Sequence, residues 1–196
     1  MNKTMGRWKN YLMESQVHDI IIVIFGPTGC GKTTYKKYFE SKGWRPVKSY
    51  TTRTPRPQEE GEYHFINEYE WGQMFNRGLL MNTNSYEGHY YGININDFVQ
   101  TGKSVMVSDI TSLNKLKRVA EQNNKELHFI YCAPDNVEEL KRRHIERGTP
   151  ERIAIMEQEI ESEEFKKVLT LPNLRESLYI AYDLDDVREF EEQLKQ

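Results

Sequence analysis

Ile20-Ile21-Ile22-Val23-Ile24-Phe25-Gly26-Pro27-Thr28-Gly29-Cys30-Gly31-Lys32-Thr33 is the stretch that decides the fold. Its first half is a short run rich in Ile and Val, as in a strand buried on both faces of a parallel sheet. Its second half has the spacing Gly26-x-x-x-x-Gly31-Lys32-Thr33, the phosphate-binding loop pattern. The glycines let backbone N–H groups turn inward around a polyphosphate, and a helix beneath aims its positive end at the same anion. Within the pattern, Lys32 reaches the β- and γ-phosphates and the Thr33 hydroxyl takes a magnesium site. A strand before and a helix after separate this reading from a chance glycine-rich turn, and Thr34 to Lys42 has helical character up to Gly43. The expected nucleoside-triphosphate site is therefore Gly26, Pro27, Thr28, Gly29, Cys30, Gly31, Lys32, Thr33 and Thr34.

With 196 residues, the chain is expected to form one compact domain, or one carrying a small mobile insertion. Hydrophobic residues are 37% and charged ones 29%, enough for a core beneath a heavily charged surface. A net charge of −3 offers nucleic acid no general attraction, so phosphate chemistry must rest on local Arg and Lys clusters. Cys30 and Cys132 lack metal-ligand spacing and read as reduced thiols of a cytosolic protein. No apolar stretch approaches the roughly 18 residues of a membrane span. The polar start has no signal-peptide core, so a soluble cytoplasmic protein is expected, without membrane or nucleic-acid partners.

Residues Met1 to Asp19 are mixed and polar, and read equally as a docked segment or a loose arm. After the loop, Val47 to Thr52 reads as a strand, and the proline-punctuated residues that follow cannot be regular structure. Tyr63 to Ile66 returns to strand character. Asn67 with Glu70 gives a capping-box start for a helix ending near Gly78, and Leu79 to Tyr91, broken at Glu87-Gly88, reads as a hairpin. The stretch from Gln58 to Tyr91 is thus expected to be strand-rich and antiparallel. Elsewhere strand and helix alternate: strand Ser104 to Asp109, helix Leu113 to Gln122, strand Leu127 to Cys132. A helical region from Asp135 to Val168 follows, interrupted at Gly148-Thr149-Pro150, then a strand at Leu178 to Ala181 and a closing helix. Such alternation predicts an α/β fold with a doubly wound parallel sheet.

Three constellations carry chemistry. Asp109 closes an apolar strand, where a phosphate-loop protein carries its second acidic group for magnesium; a loop or N-cap aspartate is the bland alternative. Arg53 and Arg56, stiffened by Pro55, form a fork suited to a second phosphate, with Tyr63, Tyr90 and Tyr91 as hydroxyl donors. Arg143 and Arg147 lie four apart on one helix face, before Gly148, placed to meet a transferring phosphoryl group. A triphosphate cradle, a second clamp and an arginine-bearing arm imply phosphoryl transfer between two nucleotides.

From about Ile20 to its C-terminus the chain resembles the guanylate kinase family. The matching segments are Gly26 to Thr33, Ser49-Tyr50-Thr51-Thr52-Arg53-Thr54-Pro55-Arg56, Gly61-Glu62-Tyr63-His64-Phe65, Gly88-His89-Tyr90-Tyr91-Gly92 and Arg143 to Thr149. The resemblance implies a phosphate-loop kinase fold with Mg2+ and ATP as cofactor and co-substrate, and a nucleoside monophosphate as acceptor, in a monomer or homodimer. It implies an extension over 1–19, a core over 20–50 and 95–196 with a lid at about 140–160, and a monophosphate-binding subdomain over 51–94. Carried over by position, Arg53, Arg56, Tyr63 and Tyr91 grip the monophosphate, and Ser49 and Asp109 face its base. Lys32, Arg143, Arg147 and Asp109 are the implied catalytic residues, with Thr33 and Asp109 at the metal. The departures lie where the base is chosen. The family's guanine-binding glutamate falls on Asn82, and its hydroxyl residue after the paired tyrosines is Ile93. Val107 replaces an acid, Tyr182 an asparagine, and only Arg152 stands near the family's additional lid arginine. GMP and dGMP are the default acceptors. A different nucleotide or sugar phosphate stays open, as does, further off, a catalytically weak binding module.

Overall fold

The computed structural model describes residues 19–55, 61–167 and 174–195. Expectations for residues 1–18, Arg56, Gln58 and Val168 fall outside the described residues. In chain order the strands are β1 (Ile20–Phe25), β2 (Arg45–Pro46), β3 (Ser49–Thr51), β4 (Tyr63–Phe65), β5 (Leu80–Tyr86), β6 (His89–Asn94), β7 (Ser104–Val107), β8 (Glu126–Cys132) and β9 (Leu178–Ala181). The helices are α1 (Lys32–Ser41), α2 (Glu68–Asn76), α3 (Ile95–Val99), α4 (Leu113–Gln122), α5 (Val137–Glu146), α6 (Arg152–Glu161), α7 (Glu163–Lys167) and α8 (Leu184–Gln193).

Every residue of β1 is buried because the strand is central. It pairs in parallel with β7 on one side and β8 on the other, and the sheet runs β2-β7-β1-β8-β9. Its alternating side chains feed two cores. Ile20, Ile22 and Ile24 pack with Tyr35 and Phe39 of α1, Leu140 of α5, Met156 of α6 and Val187 of α8. Ile21, Val23 and Phe25 pack with Phe98 of α3, Leu113 and Leu116 of α4, and Phe129 of β8. Helices thus cover both faces, which is what an unbroken apolar strand requires. Asp19, just ahead of β1, is tied in by Lys125 Nζ at 2.7 Å and by the Gly102 N–H at 2.6 Å.

A second sheet runs β4-β3-β6-β5. It takes in Ser49 and Tyr50 as well as strands within 51–94, and joins the second core through Met81 and Ile93. Here the structure narrows one expectation and corrects another. The strand expected over 47–52 forms as β3 at Ser49–Thr51, while Arg45 and Pro46 just ahead pair with β7, so that after Val47 the chain crosses to the small sheet. The small sheet is mixed, because β3 pairs antiparallel with β6 but parallel with β4. The hairpin turn at Glu87-Gly88 has φ of 52° and 78°, the left-handed pair of a two-residue turn matching strand twist. The Asn67–Glu70 capping box forms as expected. The helical region expected over 135–168 divides, among its described residues, into three helices, with a further break at Ser162. Helix α1 starts at Lys32, two residues ahead of the expected start at Thr34.

Phe129 is fully buried and meets the Phe25 ring edge-on, with centroids 6.4 Å apart. Phe129→Ala should lower unfolding free energy by about 3–5 kcal/mol, seen as a lower denaturant midpoint with an unchanged slope.

Candidate active site

The register of the central strands sets the site. Ile24 pairs with Val107 and Phe25 with Tyr131, so Gly26, Asp109 and Cys132 leave the sheet beside one another. This is the carboxyl-end crevice where an open α/β sheet binds ligands. Gly26 has φ of 150°, and a Cβ there would sit 2.5 Å from the Cys132 carbonyl oxygen. Gly29, with φ of 84°, covers an imidazole: its Cβ would lie 2.7 Å from His144 Nε2. Gly31 ends the loop in the left-handed region and is the N-cap of α1. Glycine at these positions is a steric demand as well as a motif. Beneath the loop, the two cysteines that sequence separates come together, and Cys132 Sγ donates to the Cys30 carbonyl at 2.9 Å. The neighbouring Cys30 thiol and then burial push the Cys132 thiol pKa up.

Lys32 folds over the loop, its Nζ donating to the carbonyls of Gly26 at 2.7 Å and Pro27 at 2.6 Å. The Thr28 N–H donates to Glu159 Oε2 of α6 at 2.6 Å. A carboxylate on a loop N–H sits where such a loop holds a phosphate oxygen.

Two cavities open from this centre. One, of about 440 Å3, takes in Gly26, Thr28, Gly29, Gly31, Lys32, Thr33 and Thr34, with Arg147 at its rim. The other, of about 380 Å3, lies against the small sheet and is lined by Arg53, Asn82, Tyr91 and Ile93. Ser49, Tyr63, Val107, Ser108, Asp109, Arg152 and Glu159 line both, so the cavities meet end to end. Arg53 is buried, stacks over the rings of Tyr63 and Phe65 at 5.7 and 5.8 Å, and donates to the Thr54 carbonyl at 2.9 Å. Lys36 of α1 reaches Glu62 at 2.5 Å, tying the small sheet's flank to the loop helix.

Asp109 does not close its strand. Strand β7 ends at Val107, and Asp109 precedes a 3-10 turn over Ile110–Ser112. Its carboxylate accepts from the hydroxyls of Thr111 at 2.5 Å and Ser112 at 2.6 Å. Asn82 joins the same set, its Nδ2 donating to Ser112 Oγ at 2.6 Å.

The arginines are spread over three cavities. Arg143 pairs with Glu139 at 3.0 Å and lines a third cavity, of about 500 Å3, with Cys30, Thr34, Tyr35 and Tyr182. Arg147 lines that cavity and the loop cavity. Arg152 stands where the two main cavities join. Arg152 and Glu159 lie two helical turns apart on α6, so helical spacing alone would have paired them on one face; nothing local in sequence pointed Glu159 at the loop. His144 was likewise missed as loop support. Its ring is buried with Nδ1 3.2 Å from Thr149 Oγ1, beside Gly148. Burial depresses its pKa and the charges of Arg152 and Arg147 add to that, against an opposing contact with the Thr28 backbone.

Among the described residues no cluster of three or more His, Cys, Asp or Glu side chains makes a metal cage. Mg2+ seldom uses one, taking one or two protein oxygens plus substrate phosphates and water. The Thr33 hydroxyl and Asp109 carboxylate share the loop cavity and fit that donor set. No helix among the described residues is long and apolar enough to cross a membrane.

Comparison with known proteins agrees with this geometry. Residues 19–182 match the family model described as guanylate kinase. A guanylate kinase of Clostridium tetani is 34% identical over 145 residues, 70% of this chain and 67% of that protein. A guanylate kinase of Lactobacillus acidophilus is 32% identical over 138 residues, 66% of each. The matched stretch thus spans about two thirds of these relatives' lengths. A crystal structure of guanylate kinase from Anaplasma phagocytophilum superposes with TM-score 0.60 at 17% identity, over 91% of this chain and 86% of that one, a likeness of fold.

Two outcomes follow. Glu159→Gln removes a charge competing for the Thr28 N–H, and should tighten ATP binding about three- to tenfold by calorimetric titration; unchanged affinity would contradict the competition. Because His144 holds a folded pKa below its ordinary 6.5, it adds stability above that pH that is lost as pH falls through the folded value. The fall in thermal midpoint between about pH 7 and pH 5 should therefore be shallower in His144→Asn than in the parent.

Proposed function

Because this chain belongs to the guanylate kinase family of ATP-dependent nucleoside-monophosphate kinases, we propose that it transfers the γ-phosphoryl of Mg-ATP to GMP or dGMP. The products are ADP with GDP or dGDP. The observation that carries this reading is the pair of cavities sharing one wall at Asp109, Arg152 and Glu159. Two phosphate-bearing ligands in them face each other across that wall. Catalysis of this kind needs little covalent chemistry from protein, only alignment and neutralisation of charge.

In this reading residues 26–34 hold ATP, the loop N–H groups taking its phosphate oxygens once Glu159 withdraws. Lys32 turns from the loop carbonyls toward the β- and γ-phosphates. Thr33 and Asp109 hold Mg2+, which when bound with the triphosphate neutralises charge on its oxygens. Arg53, Arg56, Tyr63 and Tyr91 grip the acceptor's phosphate, and Ser49, Asn82 and Asp109 meet its base. Arg147 and Arg152 serve the transferring group from the lid at about 140–160, and Arg143 the outer, ATP-side cavity. Residues 51–94 act as the monophosphate-binding unit on a core of 20–50 and 95–196. The protein works as a cytoplasmic monomer or homodimer, with no nucleic-acid or membrane partner. A kinase for another nucleotide is the second reading, motivated by the amide of Asn82 and the buried, apolar Ile93 on the acceptor cavity's wall.

A coupled ADP-release assay across common monophosphates, deoxy and 5-substituted ones included, tests the assignment. GMP or dGMP should be turned over, and failure of every monophosphate would overturn it. Lys32→Ala should lower kcat by about three orders of magnitude, the scale of losing one key charge in phosphoryl transfer.

A further inference from the structure

The acceptor cavity contains a side chain whose orientation is set by proton bookkeeping. Asn82 has φ of 52°, in the left-handed region that asparagine tolerates, at an irregularity in the pairing of β5 with β6 between Met81 and Asn84. Its amide nitrogen and an Asp109 carboxylate oxygen both lie 2.6 Å from Ser112 Oγ. The serine hydroxyl has one proton. An ionised carboxylate can only accept, so that proton goes to Asp109, and Ser112 must then accept from Asn82. The carboxylate's other oxygen is engaged by Thr111. The chain from Asp109 through Ser112 to Asn82 therefore has one sense, and Ser112 is 3% exposed, sheltered from competing water. It commits one amide N–H to the protein and fixes Oδ1 as the amide's acceptor, an oxygen without a hydrogen-bond partner among the described residues. Ile93, 2% exposed, brings no polar atom to the cavity from its side chain.

From this geometry we infer that the site reads its base through a single ring N–H donated to Asn82 Oδ1, with no second acceptor on that side chain for an exocyclic amine. The inference rests on the proposed kinase function and names its substrate class more fully: 6-oxopurine nucleoside monophosphates, with or without a 2-amino group. Guanine and hypoxanthine both carry the N1–H beside a carbonyl. Uracil's N3–H also lies beside a carbonyl but sits on a single ring, nearer the glycosidic bond, so with the phosphate held by the same clamp it stops short of Oδ1. Adenine presents a lone pair at N1 instead, which Oδ1 repels. Ser112 is a positioning residue, acting through Asn82, and Asp109 sets the direction of the chain.

The test measures kcat and KM for GMP, IMP, UMP and AMP at saturating Mg-ATP in the full chain and in variants, with thermal unfolding of each. Unmodified protein should use IMP within about threefold of GMP in kcat/KM, one missing neutral contact at most, with UMP and AMP far behind. Asn82→Glu supplies two charged acceptors and should create a GMP-over-IMP preference of about 10- to 100-fold. Asn82→Ala, whose left-handed backbone costs stability that the unfolding measurement reads, should weaken both while keeping their ratio near one. Ser112→Ala should raise KM for both 6-oxopurines by about tenfold with kcat and the KM for ATP held, and Ser112→Thr should restore them. A 100-fold preference for GMP over IMP in the unmodified protein, or UMP or AMP used as well as GMP, would overturn the inference and leave the kinase reading intact. No turnover with any monophosphate would overturn both.

Discussion

A loop of inward-turned backbone N–H groups demands an anion, and the rest of this molecule is arranged around that demand. Strand β1 is buried along its whole length and can neither shift nor fray, so the loop leaves it at a fixed height between β7 and β8. Helix α1 begins at Lys32 directly beneath. The close approach of Gly26 to the Cys132 carbonyl and of Gly29 to His144 leaves no room for side chains, which is how the backbone comes near enough to grip a phosphate. Glu159 answers the demand by accepting a hydrogen bond from the Thr28 N–H. An internal carboxylate in that place ties α6 to the loop, since α6 carries Glu159 and Arg152 together on the loop cavity's wall.

The small sheet supplies the other half. It shares a core with the main sheet through Met81 and Ile93, and the buried ion pair of Lys36 with Glu62 ties its flank to α1. Burial of Arg53 among the rings of Tyr63 and Phe65 preserves a guanidinium at the acceptor cavity, costly to desolvate and so of use chiefly to an anionic ligand. In the proposed reading the base meets the amide of Asn82 rather than the carboxylate of Asp109, because both Asp109 oxygens are already engaged by Thr111 and Ser112.

Much of this was legible in the sequence where local chemistry leaves a mark. The loop is written in glycine, since left-handed φ excludes side chains, and the central strand in unbroken apolar residues. The Asn67–Glu70 cap and the Glu87-Gly88 turn are equally local, and both form. What the sequence hid is non-local. The parallel pairing of β3 with β4 depends on where the chain crosses after Val47, which no residue pattern encodes. Arg143 and Arg147 share a helix face, yet only Arg147 reaches the loop cavity, because Glu139 engages Arg143 one turn earlier. Ser112 and Asn82 stand 30 residues apart, and Thr28 and Glu159 131 apart. Such pairs exist only once the sheets have packed.

The central claim is that one cleft holds two phosphate-bearing ligands end to end. Calorimetric titration with a dinucleoside pentaphosphate, adenosine at one end and guanosine at the other, tests it most directly. If both halves are engaged at once, this ligand should bind about 100-fold or more tightly than ATP, as expected for two linked sites, and that advantage should vanish in Arg53→Ala. Binding no tighter than ATP, or an advantage indifferent to Arg53, would contradict the account.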